Sequence, residues 1–150
     1  MSAATELMSK YAAYHRDRRN IATHFVGIPL IVFAVGALLA RPHFVIGGLE
    51  LTPASIAWGL TTLWYLTRGN LALGIATAIA NLLLIMAALP LGQLAIGPWL
   101  AWSLGTFVLG WAIQFVGHYV YEKKSPAFYR NLVHLLVAPL WVLAKATGRA

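Results

Sequence analysis

The chain has 150 residues, of which 60% are hydrophobic and 10% are charged, and its formal net charge is +7. A soluble domain of this size is ordinarily about half apolar and about one quarter charged, so the composition indicates a membrane protein. The absence of cysteine excludes disulfides, thiolate metal ligands and a cysteine nucleophile. The basic residues stand in short loops beside apolar segments, which favours control of membrane topology over a nucleic-acid-binding face.

The N-terminal part of the chain predicts a surface helix, a bend and a first membrane span. Residues 2–15 are amphipathic, which is typical of a helix lying on a membrane. The charged run HRDRRN at 15–20 interrupts this helix, and Asn20 is predicted to cap the next one. Residues 21–40 are uncharged and long enough to cross a hydrocarbon core of about 30 Å.

Three further spans are predicted after a loop at 41–52, from the apolar segments 53–67, 71–91 and 98–121. The first of these is only about 22 Å long as a helix, so it can span only with its flanks or in a thinned bilayer. The last apolar segment, 127–143, is cut by polar residues. Its strongly apolar part is only about 18 Å long as a helix, which predicts a re-entrant or interface-lying helix rather than a fifth span.

The predicted fold is therefore an all-α integral membrane bundle that forms one domain over residues 1–150. It has four transmembrane helices, an N-terminal interfacial helix and a C-terminal re-entrant or interfacial helix. With a cytoplasmic N-terminus, ten of the eleven Lys and Arg residues lie on the cytoplasmic side, and only Arg41 lies outside. Both termini are thus predicted to be cytoplasmic, in a bacterial inner membrane or, in a eukaryote, in the endoplasmic reticulum.

This topology brings four histidines to the cytoplasmic membrane boundary. They are His15, His24, His118 and His134. His15 and His24 are nine residues apart and would face opposite sides of one straight helix, so they converge only if the chain bends between them. Taken alone, Asn20 could simply cap a helix and His24 could simply meet the interface. For His134, a structural or headgroup-facing role competes with metal ligation.

The end of the last predicted span carries a polar stripe. Gln114, His118 and Glu122 recur every four residues, which places them on one face of an α-helix. Polar groups in a span are costly and indicate a functional site. Neutral imidazole is the commonest metal ligand, whereas Gln114 suits a supporting donor or a substrate contact. In the alternative interpretation His118 only donates to a backbone carbonyl, and Glu122 pairs with Lys123 or a lipid headgroup.

Two segments together resemble the Mpo1-like family, also called the DUF962 domain. They are YAAYHRDRRNIATHFVGIPL at 11–30 and QFVGHYVYEKKSPAF at 114–128, followed by APLWVL at 138–143. The family's motifs occur in the same order: Y-x-x-x-H, a nearby Asn, H-x-x-G-x-P, Q-F-x-G-H and E-K-x-x-P-A. The resemblance covers both ends of the chain, while the middle spans match only in hydrophobicity.

The resemblance implies an Fe(II)-dependent dioxygenase in the membrane that uses O₂ to shorten a 2-hydroxy fatty acid by one carbon. The family's histidine positions correspond to His15, His24 and His118, and we keep His134 as a fourth candidate ligand. The accompanying polar positions, to which we assign catalytic roles, are Asn20, Gln114 and Glu122. The candidates for holding the substrate carboxylate are Arg16, Arg19 and Lys123. A cysteine-free, imidazole-rich site suits non-haem Fe(II), although imidazole also binds zinc, copper and nickel.

The main alternative is a non-catalytic membrane scaffold or lipid-binding protein whose histidines are structural. A transporter has less support, because no internal repeat is visible and the predicted outer turn is uncharged. The chain has no Walker A, GxGxxG, GxSxG or CxxCH motif, so the sequence does not support nucleotide, serine-hydrolase or covalent haem chemistry.

Overall fold

A computed structural model describes all residues from 1 to 150, and it shows a mostly helical chain with one short β-hairpin. The helices are α1 (Ala3–Ala12), α2 (Arg18–Leu38), α3 (Pro53–Leu66), α4 (Leu71–Ala88), α5 (Ile96–Val116) and α6 (His134–Ala146). The strands are β1 (Phe44–Ile46) and β2 (Leu49–Leu51). A 3₁₀ turn, Leu89–Gln93, extends α4, a π-helical turn, Gly117–Glu122, extends α5, and a second 3₁₀ turn covers Ala127–Tyr129.

Three helices are long and apolar enough to cross a membrane: α2, α4 with its 3₁₀ extension, and α5 with its π-helical extension. Helix α3 has 14 residues, or about 21 Å, which is shorter than a span ordinarily requires. The prediction of four spans is therefore not confirmed. Helix α3 nevertheless connects the two ends of the bundle. The Ala54 N–H donates to the Leu39 carbonyl at one end, and the Ala4 N–H donates to the Arg68 carbonyl at the other, both at 2.9 Å.

Helices α2 and α5 cross at a pair of glycines. A Cβ atom on Gly27 would lie 3.0 Å from the Gly110 carbonyl oxygen, and one on Gly110 would lie 3.2 Å from the Gly27 oxygen. Small residues allow membrane helices to approach this closely. Beyond the crossing, the Trp99 Nε1 atom donates to the Ala37 carbonyl at 2.7 Å. The crossing thus fixes the relative position of the two helices that lead to His24 and His118.

Helices α1 and α6 belong to the main hydrophobic core. Met8 and Tyr11 of α1 are buried in one cluster with Val137, Leu140 and Trp141 of α6. An apolar helix of only 13 residues, such as α6, is too short to span and is stable when neighbouring elements bury it. The predicted interfacial positions of α1 and α6 are not confirmed, and the structure packs one face of each helix against the rest of the bundle.

The two ends of the bundle differ in charge. The Lys124 Nζ atom donates to the Ala13 carbonyl at 3.1 Å, which ties the segment after α5 to the end of α1. At the opposite end, the Arg41 guanidinium donates to the carbonyls of Gly92 and Leu94 at 2.7 and 2.6 Å. Arg41 therefore lies at the end of the bundle opposite to Lys124, as the charge pattern suggests. The orientation of the bundle in a membrane stays a prediction.

The segment predicted as a loop at 41–52 contains the β-hairpin. Val45 pairs with Glu50, and the intervening Gly47 and Gly48 have φ angles of 59° and 82°. A two-residue hairpin turn of this type needs positive φ at both central positions, which glycine adopts readily. The strands escaped prediction because three residues are too few to show an alternating pattern.

Candidate metal centre

The bend between α1 and α2 carries His15. The Asp17 side chain accepts the Arg19 N–H at 2.8 Å and caps α2, which therefore begins at Arg18. The prediction that Asn20 caps this helix was wrong, because Asp17 lies at the bend and takes that place. The predicted bend between His15 and His24 is confirmed, and it turns the two imidazoles towards each other.

His15, His24 and His118 form a compact buried group. One ring nitrogen from each lies within 4.8 Å of the other two, and the three residues are 4%, 2% and 2% exposed. The ring centroids are 4.3, 4.8 and 5.0 Å apart. The sequence predicted that separate parts of the chain deliver imidazoles to one level, and the structure brings these three together.

The hydrogen bonds of His15 and His24 define which nitrogens face inward. The His15 Nδ1 atom donates to the Tyr11 carbonyl at 2.7 Å, and the His24 Nδ1 atom donates to the Asn20 carbonyl at 2.8 Å. Since a carbonyl oxygen can only accept, both Nδ1 atoms carry the hydrogen and both Nε2 atoms present lone pairs. These two Nε2 atoms are 2.9 Å apart.

Two facing lone pairs at this distance repel unless a cation lies beside them. Burial and, to a lesser extent, the neighbouring His24 lower the pKa of His15 to about 2, which disfavours a proton in this role at neutral pH. Two nitrogens bound at right angles to one ion, with bonds of about 2.1 Å, would be about 3.0 Å apart. The donor set therefore fits a metal ion.

His118 supplies the third imidazole from the π-helical turn. Its Nδ1 atom is buried without a hydrogen-bond partner. A buried polar nitrogen left unpaired is costly, and a bound ion would remove that cost. Lys123, with φ of 53°, ends the turn, and the Lys124 N–H donates to the His118 carbonyl at 3.0 Å. Single π-helical turns of this kind occur frequently at functional sites.

Glu122 does not belong to the three-histidine group. Its carboxylate accepts the backbone N–H groups of Arg16 and Asp17 and the side-chain amide of Asn20 at 2.8 to 3.1 Å. Its place on the predicted stripe is altered because the chain winds as a π-helix there. Glu122 accepts a hydrogen bond from the Asn20 side chain, and the Asn20 carbonyl accepts one from His24. Glu122 therefore helps to orient His24 without being part of the three-histidine group.

Gln114 and His134 lie at the same cavity as the three imidazoles. The Gln114 Oε1 atom and the His134 Nε2 atom are buried, and neither has a hydrogen-bond partner. The His134 Nδ1 atom donates to the Ala127 carbonyl at 3.1 Å. Neither residue is part of the compact group, so their roles as catalytic residue and fourth ligand stay predictions.

The three basic residues assigned to the substrate carboxylate lie outside the cavity. Arg16, Arg19 and Lys123 are exposed, and Arg19 pairs with Asp17 at 2.9 Å. No Lys, Arg, Asp or Glu lines the cavity. Their proposed contact with the substrate stays a prediction that the side-chain positions do not support.

Tyr11 lies at the site, although no role there was predicted for it from the sequence. Its ring stacks on His15 with centroids 4.0 Å apart and planes inclined by 15°. The spacing Y-x-x-x-H was a usable signal, because residues four apart on a helix are neighbours.

An apolar cavity of about 450 Å³ extends from the three histidines into the bundle. Its lining follows α2 from His24 to Leu39 and includes Ala54 and Ala57 of α3. The fifteen residue steps from His24 to Leu39 correspond to about 22 Å of helix. A long, slender apolar ligand could therefore place one end near the imidazoles and the other near Leu39.

Fold and site together define a mostly helical protein with candidate membrane spans, a buried group of three histidines able to hold a metal ion, and an adjoining apolar cavity. Over residues 1–150 the chain matches the family model described as 2-hydroxy-palmitic acid dioxygenase Mpo1-like, and it belongs to the Mpo1-like family. It is 35% identical over 136 residues to the 2-hydroxy-palmitic acid dioxygenase MPO1 of Saccharomyces cerevisiae, covering 89% of this chain and 73% of the yeast protein. No solved structure matches the chain. The resemblance identified from the sequence is thus confirmed.

Proposed function

We propose that this protein is a membrane-embedded Fe(II)-dependent dioxygenase that shortens 2-hydroxy fatty acids by one carbon. The observation that carries the proposal is the position of three buried imidazoles at one end of an apolar cavity. Membership of the family and the name of the yeast relative support an oxidoreductase of this substrate class. A site of imidazoles without thiolate suits non-haem iron.

The proposed reaction requires only the 2-hydroxy acid and O₂. The C1–C2 bond breaks, C1 leaves as CO₂, and C2 becomes the carboxyl carbon of the shortened acid. One O₂ accepts the four electrons that the substrate loses, and one water is released, so no external reductant is needed. Fe(II), when bound, supplies O₂ activation and open positions for the hydroxyl and carboxylate oxygens of the substrate.

The residues of this chain supply the remaining parts of the function. The Tyr11 and Asn20 carbonyls hold the Nδ1 hydrogens of His15 and His24, so that both Nε2 lone pairs face the metal position. The apolar lining accepts the alkyl chain and excludes water from the reacting end.

The metal and the reaction can be tested together on purified protein. Elemental analysis is expected to find iron in wild type, and 2-hydroxyhexadecanoic acid should yield pentadecanoic acid and CO₂ with one O₂ consumed per turnover. His118→Ala should lose both iron and activity. His43→Ala is the matched control, because His43 is exposed and contacts Gln93 far from the site. Absence of bound metal in active protein, or full activity in His118→Ala, would rule out the proposal.

The alternative, a non-catalytic scaffold or lipid-binding protein, shares the apolar cavity. It differs in the role of the histidines, which would then be structural. In that case alanine at His15, His24 or His118 would change stability only modestly and leave the metal content unaltered. The same elemental analysis therefore separates the two hypotheses.

The proposed location is an integral membrane position with both termini on the cytoplasmic side, in a bacterial inner membrane or the endoplasmic reticulum. The chain has no cysteine, so single cysteines can report exposure without interference. Ser2→Cys and Thr147→Cys should be shielded from a membrane-impermeant maleimide added outside intact cells or, for a reticulum protein, from the lumenal side. Glu50→Cys, at an exposed position of the hairpin, should be labelled there. Labelling of the two terminal cysteines would reverse the orientation.

A further inference from the structure

The hydroxyl of Tyr11 is a polar group of the cavity that no other residue satisfies. Tyr11 is 5% exposed and lines the cavity beside the three histidines. Its ring is fixed between neighbours, since it stacks on His15 and lies 5.3 Å from the Trp141 ring. A well-packed ring positions its hydroxyl with little freedom to turn elsewhere.

The Tyr11 hydroxyl forms no hydrogen bond within the protein, whereas buried tyrosine hydroxyls usually find a partner. Tyr65 provides the internal comparison. It is also almost fully buried, and its hydroxyl donates to the Leu136 carbonyl at 3.0 Å. The Tyr11 oxygen is not sealed by protein atoms, unlike the unpartnered Gln114 oxygen. Since Tyr11 lines the cavity, the hydroxyl is available to a molecule inside it.

The cavity contains no cationic side chain that could bind a carboxylate. Its lining has no Lys or Arg, and Arg16, Arg19 and Lys123 are exposed. An anionic group that enters an apolar cavity must receive hydrogen bonds there, because burial of an unpaired charge is very costly. Beside the metal ion of the proposed function, only neutral groups of the lining can therefore donate to an acid that binds in this cavity.

We propose that the Tyr11 hydroxyl donates a hydrogen bond to the carboxylate of the bound 2-hydroxy acid and so orients its head group beside the three histidines. This inference rests on the proposed function, since it takes the 2-hydroxy acid as the ligand. It replaces the exposed basic residues with a buried neutral donor as the group that recognises the acid. The stacking of Tyr11 on His15 couples the position of this donor to the position of a metal-site imidazole.

Tyr11→Phe tests the proposal because it removes the hydroxyl and keeps the stacked ring. Binding is measured without O₂, so that no turnover occurs, using 2-hydroxyhexadecanoic acid and the uncharged 1,2-hexadecanediol. The variant should bind the acid about tenfold more weakly, as expected for a lost hydrogen bond to a charged group. Its affinity for the diol and its metal content should match wild type. With O₂, the loss should fall mainly on KM.

Tyr119→Phe is the control, because Tyr119 is exposed and its hydroxyl bonds only to that of Tyr129. Thermal unfolding of Tyr11→Phe without substrate should occur at or above the wild-type temperature, since no internal bond is lost. Unchanged acid binding, an equal loss of diol binding, loss of metal or a marked fall in unfolding temperature would each overturn the assignment. Wild type that neither holds metal nor converts the acid would instead refute the proposed function, whatever Tyr11→Phe does to binding.

Discussion

The Glu122 carboxylate accepts the backbone N–H of Arg16 at 2.9 Å, which joins the end of the α5 extension to the loop that carries His15. The same carboxylate accepts from Asp17 at 2.8 Å and from the Asn20 amide at 3.1 Å. These contacts connect two segments more than one hundred residues apart in sequence. Glu122 thereby aligns the element bearing His118 with the elements bearing His15 and His24.

Replacing Glu122 by Gln should weaken metal binding without removing a ligand. A neutral amide accepts weaker hydrogen bonds than a carboxylate, and its NH₂ group cannot accept from the loop N–H groups. Loss of a residue that orients metal ligands ordinarily lowers metal affinity about 10–100-fold. Competition with a chelator measures this change. Glu6→Gln, at an exposed pair with Lys10, is the control and should leave the affinity unchanged.

Removing the ion should lower the stability of the wild-type protein. Without it, the Nε2 atoms of His15 and His24 face each other at 2.9 Å and the His118 Nδ1 atom remains buried and unpaired. Free Fe(II) at one hundred times its dissociation constant should stabilise the fold by about 2.7 kcal/mol. The measurement compares thermal unfolding of chelator-treated protein before and after anaerobic addition of Fe(II). In His24→Ala the increase should disappear, and an equal increase in both proteins would place the ion elsewhere.

The sequence indicated four histidines at one level, of which three form the compact group, but not the geometry that supports it. Hydropathy and charge placed His15, His24 and His118 at one membrane level, and the bend between His15 and His24 was required by helical geometry. The π-helical turn could not be foreseen, because it depends on contacts distant in sequence. Glu122 is attached to the 16–17 backbone, and Gly117 lies against the side chains of Asn20 and Thr23.

The packing of the short helices α1 and α6 against each other could also not be predicted from the sequence. The apolar faces of α1 and α6 suit either a membrane surface or a protein core, and their mutual packing around Tyr11 and Trp141 could not be predicted from either pattern alone. The N-cap of α2 presented a similar choice. Asp17 and Asn20 are both good capping residues, and the contact with Glu122 engages Asn20 elsewhere.

The crossing of α2 and α5 should be sensitive to a single methyl group. A Cβ atom at Gly110 would lie 2.8 Å from Cγ1 of Ile31 and 3.2 Å from the Gly27 carbonyl oxygen, so the helices must separate. Gly110→Ala should therefore lower the free energy of unfolding by about 1–3 kcal/mol, the usual cost of overpacking. It should also weaken metal binding, because the separation moves His24 away from His118. Unfolding curves and chelator competition provide the two measurements.

Gly105→Ala on the same helix is the matched control. A Cβ atom there meets no other atom within 4 Å. Alanine has the higher helix propensity, so this variant should be at least as stable as wild type and bind metal equally well. Equal behaviour of the two variants would show that the close approach of α2 and α5 does not determine the metal site.

The distant part of the cavity should limit the length of the acyl chain. Ala57 lines it on α3, one turn from Ala54, whose backbone joins the end of α2 at Leu39. A phenylalanine at Ala57 would occupy space otherwise open to the terminal carbons of a long substrate. Ala57→Phe should therefore reduce kcat/KM for 2-hydroxyhexadecanoic acid about tenfold or more, while 2-hydroxyoctanoic acid is affected little. Ile56→Phe is the control, because Ile56 is 43% exposed and lies outside the lining. An equal loss for both substrates in Ala57→Phe would show that the alkyl chain does not reach this part of the bundle, and that the cavity beyond the histidines has another role.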